Sequence, residues 1–265
     1  MPFNFINWCN MDLLLKDKVI IVTGGAKGIG EGIITVLARE NAIPVIVGRN
    51  REDNELALSK IKKGGHVVAE LSDPEQCKSA VREILAIYGR IDGLVNNAGV
   101  NDSINLEQGS YEGFMSSLHK NVVHYYLMAH HALPELIKSK GAIVNIGSKV
   151  AETGQGGTSA YAAANGARNA LTREWAVELL KYGIRVNAVI VAESFTPLYE
   201  KWISSLPDPD ATLKKITEKI PLGNRMTTAE EIANMVAFLL SERSSHTTGQ
   251  LIHVDGGYVH LDRAL

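Results

Sequence analysis

Short apolar runs recur along the chain at Val19–Thr23, Ile43–Val47, His66–Leu71, Ile91–Asn96, Ala142–Ile146, Arg185–Ile190 and Leu251–Val254. Bounded by polar text, such runs predict strands. Between them, apolar residues return at helical spacing. Ile29, Ile33, Val36 and Leu37 share one side of a helix over Ile29–Arg39, and Trp175, Leu179 and Leu180 share one over Thr172–Lys181. A further helix is predicted over Leu118–His130. Strand and helix alternate to the end of the chain without an internal repeat. This predicts an α/β fold: a single doubly wound Rossmann-type domain, its seven-stranded parallel sheet covered by helices on both faces. The pattern loosens at Glu193–Met226, which holds Pro197, Pro207, Pro209 and Pro221 around a short helical stretch, Thr212–Lys219. An insertion after the sixth strand, at the carboxyl edge of the sheet, predicts a helical substrate lid over about 193–226.

With 265 residues, 45% hydrophobic and 21% charged, the chain can bury a substantial core. A net charge of −2 gives no reason to expect nucleic acid or an acidic membrane surface as partner. No apolar run approaches the roughly 20 residues of a spanning helix. Cys9 and Cys77 fit no redox or metal spacing, and no metal ligand set is predicted. Residues 1–10 lack the features of a secretory signal and read as an N-terminal extension, an upstream start, a flexible arm or a tag remnant, ahead of a domain over 11–265. A cytoplasmic protein is the default expectation.

Two stretches carry chemistry. Thr23-Gly24-Gly25-Ala26-Lys27-Gly28-Ile29-Gly30 follows the first strand and opens the first helix. Glycines there let the backbone turn tightly and approach a pyrophosphate, whose charge the helix N-terminus stabilises. Ser148 stands just beyond the fifth predicted strand, thirteen residues before Tyr161, and Asn165 follows Tyr161 by four. Residues four apart share a helical face. A hydroxyl that orients a reacting oxygen, and a second that passes a proton, are what hydride transfer at a carbinol requires.

The TGxxxGxG spacing, Asn96-Asn97-Ala98-Gly99 after the fourth strand, the Ser148/Tyr161 pair and Asp255-Gly256-Gly257 resemble the classical short-chain dehydrogenase/reductase family from about Met11 onward. The resemblance implies a nicotinamide cofactor held by Gly24, Lys27, Gly28, Ile29, Gly30, Arg49, Glu70, Leu71, Asn97, Ala98, Gly99, Tyr161, Asn165 and Thr196. It implies catalytic roles for Ser148, Tyr161, Asn165 and Asn121, the last holding a water in the proton relay, and a homotetramer with contacts on the helix running from Tyr161 through Trp175 and on the C-terminal tail. Val189-Ile190-Val191-Ala192 departs from it, standing where the family has a Pro-Gly turn. Within the family, Gly99-Val100-Asn101-Asp102, Thr153-Gly154-Gln155-Gly156, Leu171 to Ala176, Thr196 to Tyr199 and Gly257 to Leu265 are similar to bacterial L-fucose dehydrogenases, which oxidise the C1 hydroxyl of a free sugar to a lactone. Asn101, Gln155, Glu193, Tyr199 and Trp202 are the candidate sugar contacts. At the end of the second strand Gly48 takes the place of an acidic residue, beside Arg49 and with Lys27 in the phosphate turn. Two cations and no carboxylate favour NADP over NAD.

The sharpest departure is Asn165, where the family has lysine. A lysine there holds the nicotinamide ribose and favours the tyrosinate by its charge; asparagine brings hydrogen bonds only. The chain is then an oxidoreductase in which Asn165 holds the ribose hydroxyls and oxidation has a more alkaline optimum. The alternatives are a weakly active cofactor-binding regulator or scaffold, and an ordinary enzyme carrying an artificial change at this position. Lys149, directly after Ser148, is a conceivable replacement cation, but neighbours on a strand point to opposite faces.

Overall fold

The computed structural model describes residues 11–261; the predicted extension 1–10, with Cys9, and the tail 262–265 lie outside the described residues. Seven strands, β1 Val19–Thr23, β2 Ile43–Gly48, β3 Gly65–Val68, β4 Gly93–Asn96, β5 Ala142–Ser148, β6 Arg185–Val191 and β7 Leu251–Val254, form one sheet in the order β3-β2-β1-β4-β5-β6-β7. Every pairing is parallel. The predicted architecture stands. The order reverses between β1 and β4, and a crevice at the carboxyl ends of such strands is where ligands bind in this architecture.

Strand bounds moved where side chains intervene. β3 stops at Val68 rather than Leu71, the chain turning away with Glu70 N donating to Gln76 Oε1 at 2.8 Å. β4 starts at Gly93 rather than Ile91, after Asp92 turns its carboxylate onto Val19 N at 2.9 Å. β5 and β6 run further than predicted, so Ser148 pairs with Val191 inside the sheet.

Helices α1 Gly28–Arg39, α2 Arg51–Leu58 and α9 Ala229–Leu240 cover one face. α3 Pro74–Tyr88, α5 His124–Ser139 and α6 Ser159–Glu178 cover the other. Strand alternation divides the core between them. Val19, Ile21, Leu94 and Ile143 pack with Ile84, Tyr125, Met128 and Trp175. Ile20, Val22, Val95 and Val144 pack with Ile33, Leu37, Ile232 and Val236. Each such side chain contributes about 1.5–3 kcal/mol by leaving water. The helix predicted over Thr172–Lys181 is divided between the end of α6 and the short turn after it: Trp175 and Leu179 are spent in the protein's own core, but Leu180, expected on the same side, is exposed, as is Val177.

Between α4 Tyr111–Leu118 and α5 the chain makes a π turn, His119–Val123, so Asn121 sits in a widened turn and not in the continuous helix predicted over Leu118–His130. The lid region holds α7 Pro197–Ile203 and α8 Pro209–Thr217, each opened by proline with Thr196 or Asp208 capping. The second replaces the stretch expected at Thr212–Lys219.

A polar ladder crosses the core. Asn96 Nδ2 donates to Asn145 Oδ1 at 3.0 Å, Asn145 Nδ2 to Thr172 Oγ1 at 3.0 Å, and Thr172 Oγ1 to the Arg168 carbonyl at 2.8 Å. It ties β4 and β5 to α6 under the site. Asn145→Ala leaves buried groups unpaired and is expected to lower stability by about 1–3 kcal/mol in urea denaturation; a loss below about 0.5 kcal/mol would show that the ladder contributes nothing.

Candidate active site

The glycine-rich turn and the loop after β4 are interlocked. Thr23 Oγ1 accepts from Asn97 N at 2.9 Å and Ala98 N at 3.1 Å, while Asn97 Nδ2 donates to the carbonyls of Thr23 at 2.9 Å and Gly24 at 3.2 Å. Gly24 has φ +64°, and a Cβ on Gly30 would lie 2.1 Å from the Gly24 carbonyl oxygen. Only glycine permits this closure. The α1 N-cap, Lys27, makes no side-chain cap, so the first amides of α1 keep their donors. A backbone cradle at a helix N-terminus fits the pyrophosphate of a dinucleotide. Thr196 reaches this turn from the lid side: a Cβ on Gly28 would stand 3.1 Å from Thr196 Cγ2.

At the adenosine end the structure corrects the charge pattern inferred for NADP. Lys27 pairs with Asp53 at 2.7 Å and Arg49 with Glu70 at 3.6 Å. Both cations have a carboxylate at hand, because α2 brings Asp53 back beside the turn and the chain beyond β3 brings Glu70 beside Arg49.

Ser148 ends β5 and accepts from Val150 N at 3.4 Å; Tyr161 lies in the first turn of α6. Below Tyr161 the structure departs from expectation. Asn165 has no exposed surface: Nδ2 donates to the Tyr161 carbonyl at 2.9 Å, and Oδ1 accepts from Arg168 Nη1 at 3.0 Å. It has no face to offer a ribose. Asn121 is equally enclosed. Its side chain exchanges hydrogen bonds with the Val100 backbone, Nδ2 to O at 2.9 Å and Val100 N to Oδ1 at 2.8 Å, and its own carbonyl accepts from Arg168 Nε at 2.7 Å. The residue expected to hold a relay water thus carries a guanidinium on its carbonyl.

Arg168 was not among the candidates, although it stands seven residues after Tyr161 and so on the same helical face. It is 3% exposed. Nη1 also reaches the Ile146 carbonyl at 3.1 Å, and Nη2 lies 3.4 Å from Asn121 Oδ1. Its Cζ sits 4.4 Å from the Tyr125 ring centre and 6.0 Å from that of Tyr161. Burial pushes the Tyr125 phenol up to about 12, against the pull of Arg168. Burial, then the Arg168 charge, pushes His124 down to about 3. Both neighbours are neutral at ordinary pH.

On the lid side, Glu193 forms a buried ion pair with Lys149, whose ammonium lies 4.0 Å from the Tyr258 ring centre. Lys149 is therefore committed away from Tyr161. Burial, followed by the Glu193 carboxylate, raises the Tyr199 phenol above its ordinary range. Tyr199 meets Trp202 edge-on at 5.1 Å and Phe195 at 6.3 Å. Trp202 is 48% exposed, and Asn101 and Gln155 lie on exposed loops. His253 Nε2 lies 3.0 Å from Glu152 Oε2, and His253 packs edge-on against His260, which holds the C-terminal turn to the loop after β5.

A family model described as enoyl-(acyl carrier protein) reductase matches residues 24–259. The chain belongs to the classical short-chain dehydrogenase/reductase family. The crystal structure of the Cj0485 dehydrogenase superposes with a TM-score of 0.92 at 47% identity, over 96% of this chain and 99% of that one. L-fucose dehydrogenase from Bos taurus is 35% identical over 91% of this chain and 88% of its own length. Thermoplasma acidophilum aldohexose dehydrogenase, in ligand-free form, has a TM-score of 0.86 at 30% identity, covering 95% of this chain and 97% of its own. This short-chain dehydrogenase/reductase is an NAD(P)-dependent oxidoreductase. Among its described residues no helix is long and apolar enough to cross a membrane.

The interlock at Gly30 gives a direct test of the cofactor cradle. Gly30→Ala forces a methyl onto the Gly24 carbonyl and is expected to weaken NAD(P)H binding at least about tenfold in fluorescence titration. Unchanged affinity would remove this turn from the cofactor site.

Proposed function

We propose that the enzyme oxidises the C1 hydroxyl of a free sugar, L-fucose first among the candidates, to the lactone. The observation that carries this is the lid. The half-exposed Trp202 indole, braced edge-on by Tyr199, offers a flat apolar face to a pyranose, and the Glu193 carboxylate facing the Tyr199 phenol offers an acceptor to a hydroxyl. The names of the relatives, L-fucose dehydrogenase and aldohexose dehydrogenase, point to the same substrate class.

Ser148, fixed by strand pairing at the end of β5, donates to the reacting C1 oxygen and orients it. Tyr161 accepts the C1 hydroxyl proton as the C–H bond breaks. The oxidised nicotinamide, held by the glycine turn, the Asn97–Gly99 loop and Thr196, supplies the hydride acceptor when bound. Asn121 and Asn165 fix the backbone and the face of α6 from which Tyr161 projects. Asn101, Gln155, Glu193, Tyr199 and Trp202 are the proposed contacts to the sugar. A weakly active regulatory protein is the alternative, and turnover separates the two. A homotetramer, as the family resemblance implies, places the exposed Val177 end of α6 at a subunit contact.

Cofactor choice follows from the two ion pairs. A 2′-phosphate has to draw Arg49 from Glu70, or Lys27 from Asp53, so NADP gains less than two free cations would give it. We propose that both cofactors bind, and that Arg49 tips the balance toward NADP.

Cofactor reduction with L-fucose and other aldoses, using NAD and NADP in parallel, tests the substrate class. Ser148→Ala and Tyr161→Phe are expected to lower kcat/KM by about 10²–10⁴ with the fold intact. Full activity in Tyr161→Phe, or cofactor binding without turnover on any sugar, would sink the mechanism. Arg49→Ala is expected to weaken NADP binding about tenfold while leaving NAD nearly unmoved; equal effects on the two would place Arg49 outside the 2′-phosphate site.

A further inference from the structure

We propose that Arg168 is the positioning cation of this active site, supplying from beneath Tyr161 the positive charge that Asn165 does not carry. The inference rests on Tyr161 being the proton acceptor. Four observations converge on it. The guanidinium is 3% exposed, yet among the described residues no carboxylate lies within ion-pair distance of it. Its four hydrogen bonds all end on neutral oxygens, the Asn121 carbonyl and side chain, the Ile146 carbonyl and the Asn165 side chain, so its full charge is left to act on its surroundings. Those acceptors belong to the elements that hold the site: the π turn, β5 and α6 itself. The neighbouring loop makes room for it as well, since a Cβ on Gly99 would lie 2.8 Å from Nη2.

A merely structural arginine would normally be paired, because an unpaired charge in a protein interior is costly. Here the groups that face the charge are the rings of Tyr125, at 4.4 Å, and Tyr161, at 6.0 Å. Tyr125 is buried, with its hydroxyl donating to the Ile146 carbonyl at 3.1 Å, and His124 is fully enclosed; both are neutral. Lys149, on the short turn after β5, has its charge taken by Glu193. Tyr161, the proposed proton acceptor, is thus the catalytic group that the guanidinium faces. Arginine keeps its charge throughout the working range, as lysine in a buried site need not. Arg168 touches neither sugar nor cofactor in this arrangement; it acts through the tyrosine, and through Asn165, which holds both the guanidinium and the Tyr161 carbonyl.

The test separates charge from scaffolding and requires no substrate. Arg168→Gln keeps a donor and removes the charge; Arg168→Lys keeps the charge. Ionisation of Tyr161 is read as the near-ultraviolet tyrosinate absorbance of each protein minus that of its Tyr161→Phe counterpart, from about pH 6 to about pH 12. Removing a nearby positive charge disfavours the tyrosinate, so the Tyr161 titration in Arg168→Gln is expected to move up by about one pH unit or more, while Arg168→Lys stays within a few tenths of the parent. The acidic limb of kcat/KM for oxidation moves with it on whichever alcohol or sugar the parent turns over. An unmoved titration in Arg168→Gln, or equal movement in the Gln and Lys variants, overturns the proposal. If Arg168→Gln fails to fold, Asn165→Lys/Arg168→Gln returns one charge to the same face: a parental titration supports the proposal, and a shifted one or loss of fold overturns it. Failure on L-fucose with an intact Arg168 effect would refute the substrate and leave this inference standing.

Discussion

A guanidinium enclosed in protein without a counter-ion is tolerated only if the surrounding oxygens satisfy it, and that demand organises the centre of this molecule. Arg168 takes its acceptors from β5, the π turn and its own helix, so those three elements cannot shift relative to one another without stranding a charged donor. The π turn and this contact coincide, the Asn121 carbonyl within the turn accepting from Arg168 Nε at 2.7 Å. Gly99 completes the enclosure by having no side chain there. Tyr161 inherits its place from the same set of bonds, because Asn165 is tied at once to the arginine and to the tyrosine backbone.

The cofactor edge is built on a different principle. Its charges are paired among themselves, Lys27 with Asp53 and Arg49 with Glu70, and it depends on close approach, with the Gly24 carbonyl, Gly30 and Asn97 packed so tightly that a methyl group is excluded. The Asn96–Asn145–Thr172 ladder joins the two regions, running from β4, which carries the Asn97 loop, through β5 to the carbonyl of Arg168. A rigid floor of this kind suits hydride transfer, where small displacements of the reacting carbon are costly. Above it the lid carries its aromatic residues on short helices started by proline.

The sheet was legible because parallel strands covered on both faces read as unbroken apolar runs, and all seven were found from that pattern alone. Their ends were less so, since the side chains of Asp92 and Gln76 fix them through bonds that periodicity does not register. The glycine turn, Ser148 and Tyr161 were legible through spacing along the chain. What stayed hidden depended on contacts across it. Lys27 and Arg49 looked free because Asp53 and Glu70 meet them only in the fold. Asn165 looked like a gap at the ribose because nothing in a linear motif shows that its amide is turned inward onto Arg168. The spacing of Arg168 from Tyr161 was visible, but an arginine on a helix is far more often a solvated one.

The contact between Asn165 and Arg168 also bears on how such a site can change over time. Lysine placed at position 165 on its own would bring an ammonium onto the helical face where Oδ1 now accepts from Nη1 at 3.0 Å, setting two like charges on one buried face. Arginine removed on its own would leave the asparagine and the π turn with vacant acceptors. Each single step is disfavoured, though the two together are not. Substitutions at these positions are therefore expected to be accepted as a pair or rejected.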